Sequence, residues 1–333
     1  MTDVQVGDLR SAAEPKMVDV FTDEQPPTDA AANPIGWELA RLADTDSRIV
    51  VLSADLSSGL TQLRERHPDR YIELGIAETN AVSVAAGLAA SGLRPYIMSM
   101  GPFGAIKCAE QLRTDVGYTR LPVRFMARLS GLAMGFFGPS HQGTDDIGIA
   151  RSIANLTVVS SADANALIGL MRSTFEVPGP VYFRVTENAG AVYDAPPRFE
   201  FGKWVQVREG ADLTIIATGG SVAVSVGAAR QLADQGVQAR VMDAAFLKPV
   251  DVDAVLEAAA RGPIVTVEEH MAIGGLGSIV CEILGERGVA ARVDRVAVRD
   301  EAIEAGVPAA LLEYYGLTPT AVAERALALL RAV

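Results

Sequence analysis

Arg48-Ile49-Val50-Val51-Leu52-Ser53 carries an apolar core of four residues between short flanks. A strand with one wet face alternates apolar and polar residues, so an unbroken run this short predicts a strand covered on both faces. Such strands belong to parallel sheets, and further strands are predicted at 94–100, 121–127, 157–161 and 179–185. More follow within 213–221, a buried strand ending in a Gly-rich turn, and at 239–243, 264–268 and 292–298. Between them fall helical patterns, near 34–42, 105–116, 163–175 and from Val222 onward, with Ser161-Ala162-Asp163 as a cap. Strand alternating with helix predicts an α/β protein. At 333 residues the chain exceeds one typical core, and two doubly wound domains are predicted, at 34–193 and 204–333. Pro196 and Pro197 mark a linker at 194–203. Residues 1–33, with Pro15, Pro26, Pro27 and little periodic hydrophobicity, read as a flexible arm.

Several functions are disfavoured by composition. A net charge of −12 is ill suited to holding nucleic-acid phosphates. No apolar run is long enough to cross a bilayer, and the amino terminus, with Asp3, Asp8 and Arg10, lacks the apolar centre of a signal peptide, so a cytoplasmic location is expected. Cys108 and Cys281, and the histidines 67, 141 and 270, are too scattered in sequence to form a metal motif, and no metal ligand is predicted in this chain.

Two stretches carry chemistry. Tyr71-Ile72-Glu73-Leu74-Gly75-Ile76-Ala77-Glu78 runs into the uncharged segment 81–90, which reads as strand, turn and a helix buried all round, with Glu78 at its start. A carboxylate there either complements the helix dipole or serves a ligand. The second stretch, Gly131 to Gly143, is rich in glycine and holds one histidine, His141, which is either a surface residue or a group facing a ligand. Phe103, between Pro102 and Gly104, is either a core plug or a stacking platform. The first strand delivers Asp55 to its carboxyl end, where doubly wound folds build their sites.

Gly-Ile-Ala-Glu (75–78) before an Ala- and Gly-rich helix, with Gly-Pro-Ser-His-Gln (138–142), resembles the pyrimidine-binding domain of the transketolase and 1-deoxyxylulose-5-phosphate synthase group of thiamine diphosphate enzymes. The resemblance covers about residues 34–333 and implies a pyrimidine-binding domain followed by a transketolase C-terminal-like domain. It implies that Glu78 bonds a ring nitrogen of the cofactor's aminopyrimidine and drives it to the imino form, which needs a nearly dry carboxyl group. It implies that Phe103 stacks on that ring, that Asp55 lies near the cofactor, and that His141 hydrogen-bonds substrate oxygens or moves protons. Arg184, at a strand end, is matched to a phosphate-binding arginine, with a solvated arginine as the alternative, and His270 to a histidine at the cleft rim.

This sequence departs from the family pattern twice. Phe136 and Phe137 replace the Glu-Asp pair before Gly138, and Leu129 replaces a phosphate-binding histidine, with Arg128 as a neighbouring substitute. A phenyl ring cannot accept the bond that the aspartate takes from an acceptor hydroxyl, so a more apolar or unphosphorylated acceptor is expected. The chain also has no Gly-Asp-Gly motif, which in single-chain transketolases helps to hold magnesium and the diphosphate. The resemblance therefore implies a partner subunit that supplies the diphosphate domain and the Mg2+ ligands, in an α2β2 heterotetramer. The expected function is transfer of a two-carbon ketol or acyl unit to an aldehyde or ketone. The alternatives are a β subunit of a 2-oxoacid dehydrogenase-like complex and a non-catalytic regulatory subunit.

Overall fold

The computed structural model describes Val20, residues 34–187 and residues 189–331. Apart from Val20, the predicted arm at 1–33 lies outside the described residues. β1 (Ile49–Ser53), β2 (Tyr71–Glu73), β3 (Arg94–Met100), β4 (Arg124–Arg128), β5 (Thr157–Ser161) and β6 (Val181–Val185) run parallel in one sheet. Ile49 and Val51 enter the core on one face while Val50 and Leu52 enter it on the other, the two-residue period of a strand with both faces dry. The helices Pro34–Thr45 and Ala164–Ser173 cover the first face, and the helix Glu78–Ala90 covers the second. Asp163 caps the helix that follows it, accepting from Ala166 N at 2.7 Å.

A second sheet holds β7 (Val205–Arg208), β8 (Leu213–Ala217) and β9 (Ala239–Asp243), with β11 (Ile264–Met271) and β12 (Val293–Val298), in the order β12-β11-β8-β9-β7. Its strands are parallel except β7, which pairs antiparallel with β9. β10 (Phe246–Lys248) leaves this half of the chain and pairs antiparallel with β5, so the first sheet reads β10-β5-β6-β4-β3-β1-β2. A strand from beyond the linker thus completes the first sheet. A strand of three residues leaves no run long enough to mark it. Its place is fixed by tertiary contacts: Phe246 is fully buried, Trp204 Nε1 donates to its carbonyl at 2.7 Å, and Ser160 N donates to Ala245 O at 2.9 Å. It also covers the β5 edge, which would otherwise present unpaired backbone groups.

Two helices differ from expectation. The segment Glu78–Ala90 is helical as predicted, but it is not buried all round. Ala81, Val82, Ala85, Ala86 and Ala89 are buried, whereas Asn80, Ser83, Gly87 and Ala90 form an exposed stripe. Lack of charge does not force burial when the side chains are small, because little apolar area is left in water. The segment 105–116 is not one α-helix. It is a π-helical turn, Phe103–Lys107, a short α turn, Ala109–Gln111, and a second π-helical stretch, Leu112–Gly117. The wide turns re-aim side chains, a feature that frequently accompanies functional sites and that an apolar pattern does not encode.

Where the linker meets the second sheet, Tyr193 donates its hydroxyl to Asp243 Oδ2 at 2.7 Å. Burial pushes Asp243 up to about 7, with the Tyr193 bond pulling the other way and Asp163 adding to the rise. A carboxyl group raised in this way favours the fold while protonated. That contribution is complete below the unfolded value of 3.8 and is lost as pH climbs through about 7. The interval corresponds to on the order of 4 kcal/mol. Denaturant titrations from pH 4 to 8 are expected to show wild-type stability falling relative to Asp243→Asn; parallel pH profiles would contradict this account of Asp243.

Candidate active site

The site is built at the carboxyl ends of the first sheet's strands. After β2 the chain turns at Gly75, whose φ of +66° suits glycine, and enters the helix at Glu78. Glu73 braces that turn, accepting from Gly75 N at 2.9 Å, from Asp55 N at 3.0 Å and from the Tyr71 hydroxyl at 2.5 Å. Burial raises its pKa, but these hydrogen bonds outweigh burial and hold it below the usual value.

Glu78 is 2% exposed. Lys107 Nζ lies 2.6 Å from its Oε2, while among the described residues no hydrogen bond reaches Oε1. The same ammonium stands 5.8 Å from the centre of the Phe103 ring, which the π-helical turn presents on the same side. The Phe103 ring meets His141 edge-on at 5.2 Å between centroids, His141 lies 4.9 Å from Phe137, and Phe137 lies 4.7 Å from Phe136. His141 Nδ1 is 2.9 Å from Ser140 Oγ. Glu78, Lys107, Phe103, His141, Phe137 and Phe136 thus form one continuous chain of contacts, in which a dry carboxylate and a histidine flank an aromatic ring.

Four of the candidate residues, Glu78, Phe103, His141 and Phe137, are brought together. Asp55 is exposed at the end of β1, with a φ of +57°, tied to the site through Glu73. Arg128 is engaged elsewhere: its Nε pairs with Glu187 at 2.6 Å and its Nη1 donates to Ser58 O at 2.7 Å.

Arg184 and His270 are not where the sequence suggests. Arg184 is 1% exposed rather than free at a strand end. Its Nε pairs with Asp146 Oδ1 at 3.0 Å, and its Nη2 donates to Gly143 O at 3.1 Å and to Glu269 O at 2.8 Å. His270 is fully buried and not at a rim, because β11 runs on through it to Met271. Its Nδ1 donates to Met271 O at 2.8 Å and its Nε2 accepts from Gly148 N at 3.3 Å. Burial holds its pKa below the ordinary value and favours the neutral ring that these bonds require. Both residues are committed to the seam between the two halves, where Met271 N also donates to Thr144 O at 2.6 Å and Leu132 N to Glu269 Oε2 at 3.2 Å. That seam anchors both ends of the loop that carries His141.

Sequence reasoning missed Lys107, Glu73, Asp146 and Glu269. Only Lys107 left a usable signal, since a residue four positions after Phe103 shares its side of a helical turn.

The chain is of the α/β class, with a buried carboxylate at a helix start, an aromatic ring and a histidine brought together at the strand ends of a mostly parallel sheet. Residues 30–191 match the family model "Transketolase, pyrimidine binding domain", and residues 202–322 match "Transketolase, C-terminal domain". One subunit of the apulose-4-phosphate transketolase of Phocaeicola vulgatus is 35% identical over 87% of this chain and 94% of its own length. A solved split-gene transketolase, an inactive β4 tetramer, is 36% identical with a TM-score of 0.82, over 90% of this chain and 99% of that one. The 1-deoxy-D-xylulose-5-phosphate synthase of Synechococcus sp. strain RCC307 is 34% identical over 92% of this chain, which spans only 48% of that enzyme's length. The chain belongs to the transketolase family, a family of thiamine diphosphate enzymes.

Asp146→Ala is expected to destabilise the chain by about 3–5 kcal/mol in denaturant unfolding, since it strands a buried guanidinium. A loss of under about 1 kcal/mol would mean that the pair does not hold the seam.

Proposed function

We propose that this chain is the pyrimidine-side subunit of a two-component thiamine diphosphate enzyme. In this reading the enzyme moves a two-carbon ketol or acyl unit from a ketose or 2-oxo donor to an aldehyde or ketone. The observation that carries the reading is Glu78, a dry carboxylate with one oxygen held by Lys107, which also stands over the Phe103 ring, and the other oxygen without a bond among the described residues. This arrangement fits an aminopyrimidine, which needs a carboxyl group that shares a proton with a ring nitrogen and a flat apolar surface for its face. Bound there, thiamine diphosphate would supply a carbon nucleophile and an electron sink.

This chain's residues would do the rest. Glu78 would take and return a proton at the pyrimidine ring nitrogen, and Lys107 would fix the orientation of its carboxylate. Phe103 would hold the ring face and turn its edge to His141. His141, kept in place by the Phe137 ring and Ser140, would move protons at the donor and acceptor oxygens. Asp55 would lie beside the cofactor on the backbone that Glu73 braces. Among the described residues no group of three acidic, histidine or cysteine side chains could hold a metal. On the resemblance and the lack of a Gly-Asp-Gly motif in this sequence, the Mg2+ and diphosphate ligands are assigned to a partner subunit, in an α2β2 assembly. Similarity over nearly the full length of one transketolase subunit, and over about half of the synthase, supports that division. The described helices include none long and apolar enough to cross a membrane, and we assign the enzyme to the cytoplasm.

Calorimetry with thiamine diphosphate and Mg2+ is expected to show binding only after this chain is mixed with its partner; tight binding to this chain alone would refute the two-component reading. In the assembled enzyme Glu78→Gln is expected to lower turnover by at least about 100-fold. Unchanged turnover in that variant would mean that the chain regulates without catalysing.

A further inference from the structure

We propose that the acceptor is unphosphorylated and carries an apolar group, best an aromatic ring, next to its carbonyl. This rests on the two-carbon-transfer reading above and adds the substrate class. Phe136 is 53% exposed and Phe137 is 56% exposed, at the tip of a turn whose next residue, Gly138, has a φ of +78°. Two phenyl rings side by side in water are unfavourable, and a ligand ring laid on them would remove apolar area from solvent. They lie beside His141, which in turn touches Phe103, so a group on these rings would hold its carbonyl at the histidine.

Three cations considered for this site are already paired among the described residues. Arg128 is bound to Glu187 and Ser58, Arg184 is buried on Asp146, and Lys107 is on Glu78. Leu129, beside Arg128, offers no charge, and His141 is packed between two rings. A phosphate needs charge-assisted donors. Drawing a guanidinium off Glu187 or Asp146 would leave a carboxylate without its partner, at a cost that grows with burial. Two of the relatives are named for phosphorylated sugars, and this site differs from what such a ligand requires.

The transfer is balanced without an added oxidant or reductant. For a ketose donor the C2–C3 bond breaks, its electron pair stays with the two-carbon unit, and the C3 hydroxyl loses a proton as that carbon becomes an aldehyde. The same pair then forms the bond to the acceptor carbonyl carbon, and the acceptor oxygen takes up one proton to become a hydroxyl. For a 2-oxo acid donor, carbon dioxide replaces the aldehyde as the released fragment.

The test uses the assembled enzyme and two separate readouts. Donor cleavage without acceptor is measured as carbon dioxide from hydroxypyruvate or pyruvate, or as aldehyde from fructose or fructose 6-phosphate. Acceptor choice is measured as kcat/KM for benzaldehyde and hexanal against glyceraldehyde and glyceraldehyde 3-phosphate. The expected result is donor cleavage with at least a tenfold preference for the apolar aldehydes. Phe137→Asp should shift that ratio toward glyceraldehyde by about tenfold, and Phe136→Ala should raise KM for benzaldehyde. Cleavage of a donor with glyceraldehyde 3-phosphate preferred would overturn the proposal and leave the function standing. So would a Phe136→Ala variant that loses affinity for the partner subunit while acceptor KM stays constant, since the rings would then be an assembly contact. Absence of cleavage of every donor would sink the function itself, and the inference with it.

Discussion

The ion pair between Arg184 and Asp146 is the constraint on which the rest of this structure depends. Both side chains are at most 1% exposed, so each charge is tolerable only because the other is there. Burial by itself lowers the pKa of the guanidinium, and Asp146 more than restores it. The guanidinium also reaches two carbonyls, one from each half of the chain, at Gly143 and Glu269. One side chain at the carboxyl end of β6 thereby joins the first sheet, the loop that carries His141 and the second sheet. The second half of the molecule acts on the site through this seam and not through a side chain in the row of contacts.

The other organising element is a helical segment broken into wide turns. A regular α-helix from Phe103 would carry Phe103 and Lys107 in a fixed relation to each other and to the sheet. The π-helical turn re-aims both, and Lys107 then spans from the aromatic ring to a carboxylate that would otherwise be buried alone. The adjoining loop reverses the expected polarity of the site, with two phenyl rings where the family pattern has two acids. The row of contacts presents aromatic faces, with the charge of Lys107 neutralised by Glu78.

Much of the fold was legible in the sequence. The strands at 94–100, 157–161 and 239–243 were read at the bounds the structure gives them, because in each a short apolar core is flanked by polar residues. Glu78, Phe103, His141 and Phe137 were singled out from sequence and are adjacent in space. Arg184 and His270 were read as site residues and are buried in the seam instead. A lone arginine or histidine in a string of letters does not reveal whether a carboxylate or a carbonyl from the other half of the chain will enclose it.

The sequence by itself determined the α/β architecture, the position of Glu78 at a helix start and the replacement of two acids by two phenylalanines. Each of these is a local property of neighbouring residues, fixed by periodicity, turn chemistry or side-chain identity. Tertiary structure alone decided that β10 crosses to the first sheet, that Lys107 clamps Glu78 and that Arg128 and Arg184 are taken up by Glu187 and Asp146. These depend on which groups meet across long stretches of chain, because the energy of a charge or an edge strand is set by what surrounds it and not by its neighbours in sequence.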